Sequence, residues 1–267
     1  MEPTAAGERH PHGQVHAEVR DDRILVITID RVEKKNAFTP KIVRELAEAL
    51  TRLDDDPGLV VGVVCFAGDH STAGLDMPLF FGAEGGFDLP DGAVDPFGLG
   101  RRLTKPRITA MQGITYTAGV ELALAGDIVV AAADVRLAQL EPKRGLAPLG
   151  GATFRFVERA GWGNAMYHLL RADEFDAEEA LRCGFVQEVV EPGTQRERAV
   201  ELATELLAGS PLAHRLIIEN ARLALDQGEA AAARAVPDLT RAALASEDLQ
   251  EGIASFLERR PADFTGR

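Results

Sequence analysis

Apolar residues fall in short β-branched runs through the first two thirds of the chain and in longer helical stripes towards its end. "RILVITID" (23–30) is β-branched and followed by a turn, so it reads as a strand. Thr39 and Pro40 make a cap and first helical turn, after which Ile42, Val43, Leu46, Leu50 and Leu53 form one stripe. "LVVGVVCF" (59–66) is apolar on both faces and reads as a buried strand. Residues 68–100 are glycine-rich and show little periodicity beyond "LDMPLFF". "RITAMQG" (107–113) predicts a third strand, "GVELALA" (119–125) a short helix closed by Gly126, and "DIVVAAAD" and "VRLAQL" further strand.

Strands alternating with helices up to Val190 indicate an α/β layered architecture. After Pro192 the pattern changes. "SPLAHRLIIENARLAL" opens with a serine cap and a proline, then sets Leu212, Leu216, Ile217 and Leu223 on one stripe. "SEDLQEGIASFLERR" does the same with Leu249, Ile253, Phe256 and Leu257. A helical region over 196–267 is expected, packed on its own core or used between subunits. Residues 1–20, polar and carrying His10, His12 and His16, read as a flexible tail.

Composition narrows the function classes. With 46% hydrophobic and 27% charged residues the chain is an ordinary globular one. A net charge of -13 opposes non-specific binding to nucleic acid or an anionic membrane. No apolar run suits a membrane span or a signal peptide, so a cytoplasmic location is expected. Cys65 and Cys183 form no C-x-x-C pair, and no metal site is expected. P-loop and H-E-x-x-H patterns are absent from the sequence. Arg101, Arg102 and Lys105 read as a solvated face.

Two glutamates stand out. Glu121 lies between Val120 and Leu122, in the first turn of the predicted helix, where the helix dipole favours its charge and burial opposes it. Competing influences of this kind are common in general acids and bases, although the same residue could serve to satisfy helix-start amides or an arginine. Glu141 ends the apolar run "LAQL" at a strand exit. Downstream, "PLGGA" should open another helix with free amides facing the same region. If the two carboxylates converge they form an acid/base pair, and spacing alone does not establish that.

Four stretches in order, "IDRVEKKNAF", "STAGLDM", "MQGITYTAGVELALAGDIVVAAAD" and "LAQLEPKRGLAPLGGA", resemble the crotonase superfamily of enoyl-CoA hydratases and isomerases. The ending "SEDLQEGIASFLERRPADFTGR" is similar to that family's too, so the resemblance runs from about residue 20 to the end. It implies a spiral of ββα units over 21–195 holding a CoA/acyl site, then a C-terminal helical region (196–267) that builds trimers or hexamers.

The resemblance also implies chemistry through a thioester enolate whose oxygen is held by the backbone N–H groups of Leu75 and Ala118. Glu121 would be the water-activating base and Glu141 the proton donor. Lys34 and Lys35 fall where the family places cations near the CoA phosphates, Ala37 and Ala73 where backbone lies along the CoA arm, and Asp76 in the same loop, as a structural residue. The chain departs from the family pattern at Thr117 and Ala118, where glycines are common, at Arg144, and in the loop 80–100, which bear on substrate identity. The implied reaction is hydration of a trans-2-enoyl-CoA without metal or redox cofactor. Alternatives are an enoyl-CoA or dienoyl-CoA isomerase, an acyl-CoA hydrolase, or a non-catalytic CoA-binding or RNA-binding member. A serine-protease reading fails for want of a serine near Ala118, where the chain offers only Thr117.

Overall fold

The computed structural model describes residues 10–82, 86 and 88–267. β1 (Gln14–Arg20) pairs antiparallel with β2 (Ile24–Asp30), and β3 (Val61–Phe66), β4 (Arg107–Met111), β6 (Ile128–Ala132) and β8 (Glu188–Val190) continue the sheet in parallel, in the order β1-β2-β3-β4-β6-β8. β5 (Ile114–Tyr116) and β7 (Arg136–Ala138) form a second, parallel pair, which an isolated bridge between Thr72 and Thr115 extends.

The chain therefore repeats a step. β4 lies in the large sheet, β5 in the small one, and the helix α3 (Ala118–Leu124) follows. β6, β7 and the 3-10 turn Glu141–Arg144 repeat it. Each turn of this ββα spiral brings a small-sheet strand and a helix start to the same side of the molecule.

Local chemistry accounts for the elements. α1 (Pro40–Asp55) starts where the Thr39 side chain accepts the Ile42 amide at 3.1 Å, and its apolar stripe is buried against the sheet. β3 and β4 are buried at every position, as strands covered on both faces must be. α4 (Ala152–Arg171) kinks at Gly161, which takes a left-handed φ of 73°. Its first half packs Phe156 against Phe175 and Phe185.

Three expectations change. Residues 10–20 are ordered into the fold: the His12 carbonyl accepts the Thr39 hydroxyl, the Pro11 carbonyl accepts Arg31, and 14–20 form β1. Backbone pairing, with most side chains exposed, holds this edge strand, so no burial pattern betrays it. The helical region does not begin at 196 either. α6 (Gln195–Leu206) buries Ala199 and Ala203 against β2, β3, β4 and β6 and belongs to the core, leaving α7 (Pro211–Gln227), α8 (Glu229–Leu244) and α9 (Glu247–Glu258) as the appendage. Lys105 is buried rather than solvated, donating to the Leu53 and Asp56 carbonyls at 2.8 and 2.6 Å. Arg101 and Arg102 are indeed at the surface, paired with Asp54, Asp55 and Asp226.

The appendage is tied to the core by Arg222, which donates to the Leu103 carbonyl and to Asp127. Large apolar side chains of α7–α9 remain uncovered within one chain, Phe256 at 82% and Leu257 at 74% exposure among them. No helix among the described residues is long and apolar enough to cross a membrane.

Candidate active site

Glu121 sits in the short helix α3, every residue of which is buried. Its Oε1 accepts the amides of Gly150 at 2.7 Å and Ala152 at 3.1 Å, the free N–H groups at the start of α4. Gly150 must lack a side chain for this: a Cβ there would lie 2.5 Å from Oε2. Burial pushes the Glu121 carboxyl above its ordinary range, and the two amides and the Arg155 guanidinium pull it back. Arg155, itself buried, donates to the Gly150 and Phe97 carbonyls and so braces the loop that holds Glu121. One carboxylate oxygen is thus clamped, and the side chain faces the cavity that the second glutamate also lines.

Glu141 opens the 3-10 turn after β7. Burial pushes its carboxyl up to about 7; its own amide opposes this, and the nearby Glu121 charge adds to it. The sequence alone missed its neighbour Gln139, which is buried. With its amide nitrogen turned to Glu141, Gln139 donates to both carboxylate oxygens at 3.0 Å; turned the other way, it donates to the Thr117 carbonyl at 3.3 Å and offers Glu141 its oxygen. Gln139 can therefore meet Glu141 in either protonation state, as acceptor partner or as donor. A signal existed in the sequence, since residues i and i+2 of a strand exit share a face.

The segments 35–38 and 73–76 run side by side. Ala73 donates to the Lys35 carbonyl, Phe38 to Gly74 and Asp76 to Phe38, all at 2.8–2.9 Å. Asn36 clamps this pairing by accepting the Arg31 amide and donating to the Ala67 and His70 carbonyls. Arg31, 5% exposed, joins Asp76 at 2.8 Å and the Ala37 carbonyl at 3.1 Å. Asp76 is thereby engaged in holding the loop. Across from it, Thr117 turns the chain from β5 into α3. Among the described residues the amides of Leu75 and Ala118 donate to no protein acceptor, and both residues line the cavity.

That cavity, about 420 Å³, brings together Ala73, Leu75, Thr117, Ala118, Glu121 and Glu141. Its remaining walls are largely apolar, with Phe97, Leu140, Leu146 and Leu149 among them, and Arg144 stands at its edge. Lys34, Lys35 and Ala37 do not line it; both lysines are exposed on the adjoining loop. A buried carboxyl, a second half-buried one, uncommitted amides and an apolar trough suit a reaction that creates and quenches negative charge beside an acyl chain. Among the described residues His168, Glu179 and Cys183 approach within 4.8 Å of one another, but Arg182 binds Glu179 through two 2.6 Å hydrogen bonds, which leaves no vacant carboxylate for a metal.

Residues 20–267 match the family model described as enoyl-CoA hydratase/isomerase. The chain belongs to the enoyl-CoA hydratase/isomerase family, a family of enzymes. It is similar to the enoyl-CoA hydratase EchA19 of Mycobacterium tuberculosis, 30% identical over 253 residues that cover 93% of this chain and 95% of the relative. A Mycobacterium abscessus crystal structure assigned to the enoyl-CoA hydratase/isomerase group is 40% identical, with a TM-score of 0.89 over 96% of this chain and 99% of that one. An enoyl-CoA hydratase structure from Mycobacterium tuberculosis is 34% identical, with a TM-score of 0.85 over 97% and 100%. The α/β spiral with its C-terminal helices is thus the crotonase-type fold.

Proposed function

We propose that this enzyme is an enoyl-CoA hydratase that adds water across the 2,3 double bond of a trans-2-enoyl-CoA. Two carboxyl groups lining one cavity, tuned differently by their surroundings, carry this reading. Glu121, its Oε1 fixed by two amides, is the base that holds and polarises water for attack at Cβ. Glu141, raised to about 7 by burial, keeps a proton to deliver at Cα. Negative charge on the thioester oxygen is met by the Leu75 and Ala118 amides, which are in position before it develops. Water loses one proton to Glu121 and Cα gains one from Glu141, so the pair returns to its starting state after one proton passes between them.

The thioester substrate brings its own CoA, and the two carboxylates and the amides supply the chemistry without metal or redox cofactor. Lys34 and Lys35 meet the CoA phosphates, and the Ala37 and Ala73 backbone lies along the arm. The uncovered apolar faces of α7–α9 support assembly into a homotrimer, or a hexamer of two trimers, in the cytoplasm. The names of the similar proteins favour hydration over the isomerase and hydrolase alternatives.

Product analysis on crotonyl-CoA, a 3-enoyl-CoA and a saturated acyl-CoA tests the reading. Loss of the conjugated thioester absorbance with formation of 3-hydroxyacyl-CoA is expected. Double-bond migration from the 3-enoyl substrate, or free CoA from the saturated one, without hydration would replace it by isomerase or hydrolase.

A further inference from the structure

We propose that the Thr117 hydroxyl is a third hydrogen-bond donor to the thioester oxygen, beside the Leu75 and Ala118 amides. The proposal rests on the reading of this cavity as an enolate-forming site, and it assigns a catalytic role to a side chain where that reading needs only backbone.

Thr117 has φ 50° and ψ −115°. That is the conformation of the first central residue of a type II′ turn, which glycine adopts freely and a β-branched residue adopts only under strain. The backbone is held there from both sides. Its amide donates to the Ala138 carbonyl of β7 at 2.8 Å, and its carbonyl accepts the Val120 and Glu121 amides at 3.0 and 3.1 Å. Glycine would satisfy every one of these bonds. What threonine adds is the side chain.

The side chain's hydroxyl is uncommitted. Thr72 donates its hydroxyl to the Asn36 carbonyl at 2.7 Å, and Ser71 gives its own to Gln112 at 3.1 Å. Thr117 has no such partner among the described residues, although it lines the cavity and its hydroxyl oxygen is not sealed from solvent. Its position is set by Gly74: a Cβ on that glycine would collide with the Thr117 Oγ1. Gly74 directly precedes Leu75, and Thr117 directly precedes Ala118. The hydroxyl thus lies between the two chain segments whose amides face the substrate oxygen. A hydroxyl rotates to suit its partner, so it can turn its proton to an oxygen that gains charge. A strained residue with an unspent donor at a cavity is the kind of site where strain accompanies function.

The test uses full-length Thr117→Val, Thr117→Ser and Thr117→Gly variants with two readouts. The first is crotonyl-CoA hydration. Removing one donor of this kind lowers kcat by roughly 10²-fold, so Thr117→Val is expected to do so with KM little changed, while Thr117→Ser retains most of the activity. Thr117→Gly is expected to lose kcat to a similar degree while melting at a higher temperature, because the turn is relaxed; a loss of activity with a gain of stability separates the role from folding. The second readout is the enolate absorbance of bound acetoacetyl-CoA across a pH series, which reports oxyanion stabilisation without hydration. The bound ligand is expected to ionise at lower pH on wild type than on Thr117→Val, and serine is expected to restore the difference.

Wild-type kcat in Thr117→Val, or higher activity in Thr117→Gly, would overturn the proposal and leave the hydratase reading intact. Wild-type enzyme that binds acetoacetyl-CoA without favouring its enolate would overturn the amide hole itself and the third donor with it.

Discussion

Replacing Glu141 with glutamine removes a carboxyl that the fold holds largely out of water, and stability should register the change in a pH-dependent way. Folded, the group ionises near 7 against an ordinary 4.5, chiefly because burial penalises the charge, with Glu121 adding to it. The folded state therefore binds this proton more tightly than the unfolded chain does. The group's favourable contribution is complete below pH 4.5, fades as pH rises, and is gone above about 7.

At about 1.4 kcal/mol per tenfold change in proton affinity, the rise sets a ceiling of about 3 kcal/mol, and partial solvent access reduces it to about 1–2 kcal/mol. Glu141→Gln carries no ionisable group at this position, so it is the reference. Urea unfolding of both proteins at one fixed concentration, from pH ~4.5 to ~8, should show wild type losing about 1–2 kcal/mol relative to the variant. Adding Glu121→Gln should lower the pH at which the loss occurs, since the neighbouring charge has gone. A difference between wild type and Glu141→Gln that stays flat over this range would refute the account of Glu141.

Gly150→Ala should impair chemistry more than folding. Its Cβ would stand 2.5 Å from Glu121 Oε2 and 2.8 Å from Cδ, so the carboxyl must move by about 1 Å, and a shift of that size costs on the order of 10²-fold in kcat. Urea unfolding should change by no more than about 1 kcal/mol, because no positive φ is required at Gly150. The pH profile of kcat/KM should be bell-shaped, rising as Glu121 ionises above the ordinary carboxylate range and falling near pH 7 as Glu141 loses its proton. An alkaline limb that persists in Glu141→Gln would argue against that assignment. Asp76→Ala strands the buried Arg31 and should destabilise the protein by about 2 kcal/mol in urea, whereas unchanged stability would contradict its role in holding the loop.

Much of this was open to sequence reasoning, for physical reasons that differ by element. The Thr39 cap, the α1 stripe and the buried β3 are local matters of side-chain chemistry and period, and each stands where its residues imply. The clamp on Glu121 was visible in outline, since "PLGGA" had to start a helix with free amides; which carboxylate would take them was not, because 29 residues separate Glu121 from Gly150. β1 was hidden by its exposed faces, and α6 by its many charges, since small alanines rather than a leucine stripe bury it. Lys105 looked like a surface cation because nothing local announces the Leu53 and Asp56 carbonyls that receive it. Gln139 passed unnoticed for a similar reason. Its importance depends on where Glu141 points, which only the packed spiral decides.

The central claim is that Glu121 and Glu141 act together, one taking a proton from water and the other giving one to Cα. Hydration of crotonyl-CoA, followed by loss of the enoyl-thioester absorbance, for wild type, Glu121→Gln, Glu141→Gln and the double variant tests it most directly. The account predicts that each single variant falls by about 10²-fold or more and that the double variant falls by much less than the product of the two, because the pair works as a unit. Wild-type turnover in either single variant would contradict it.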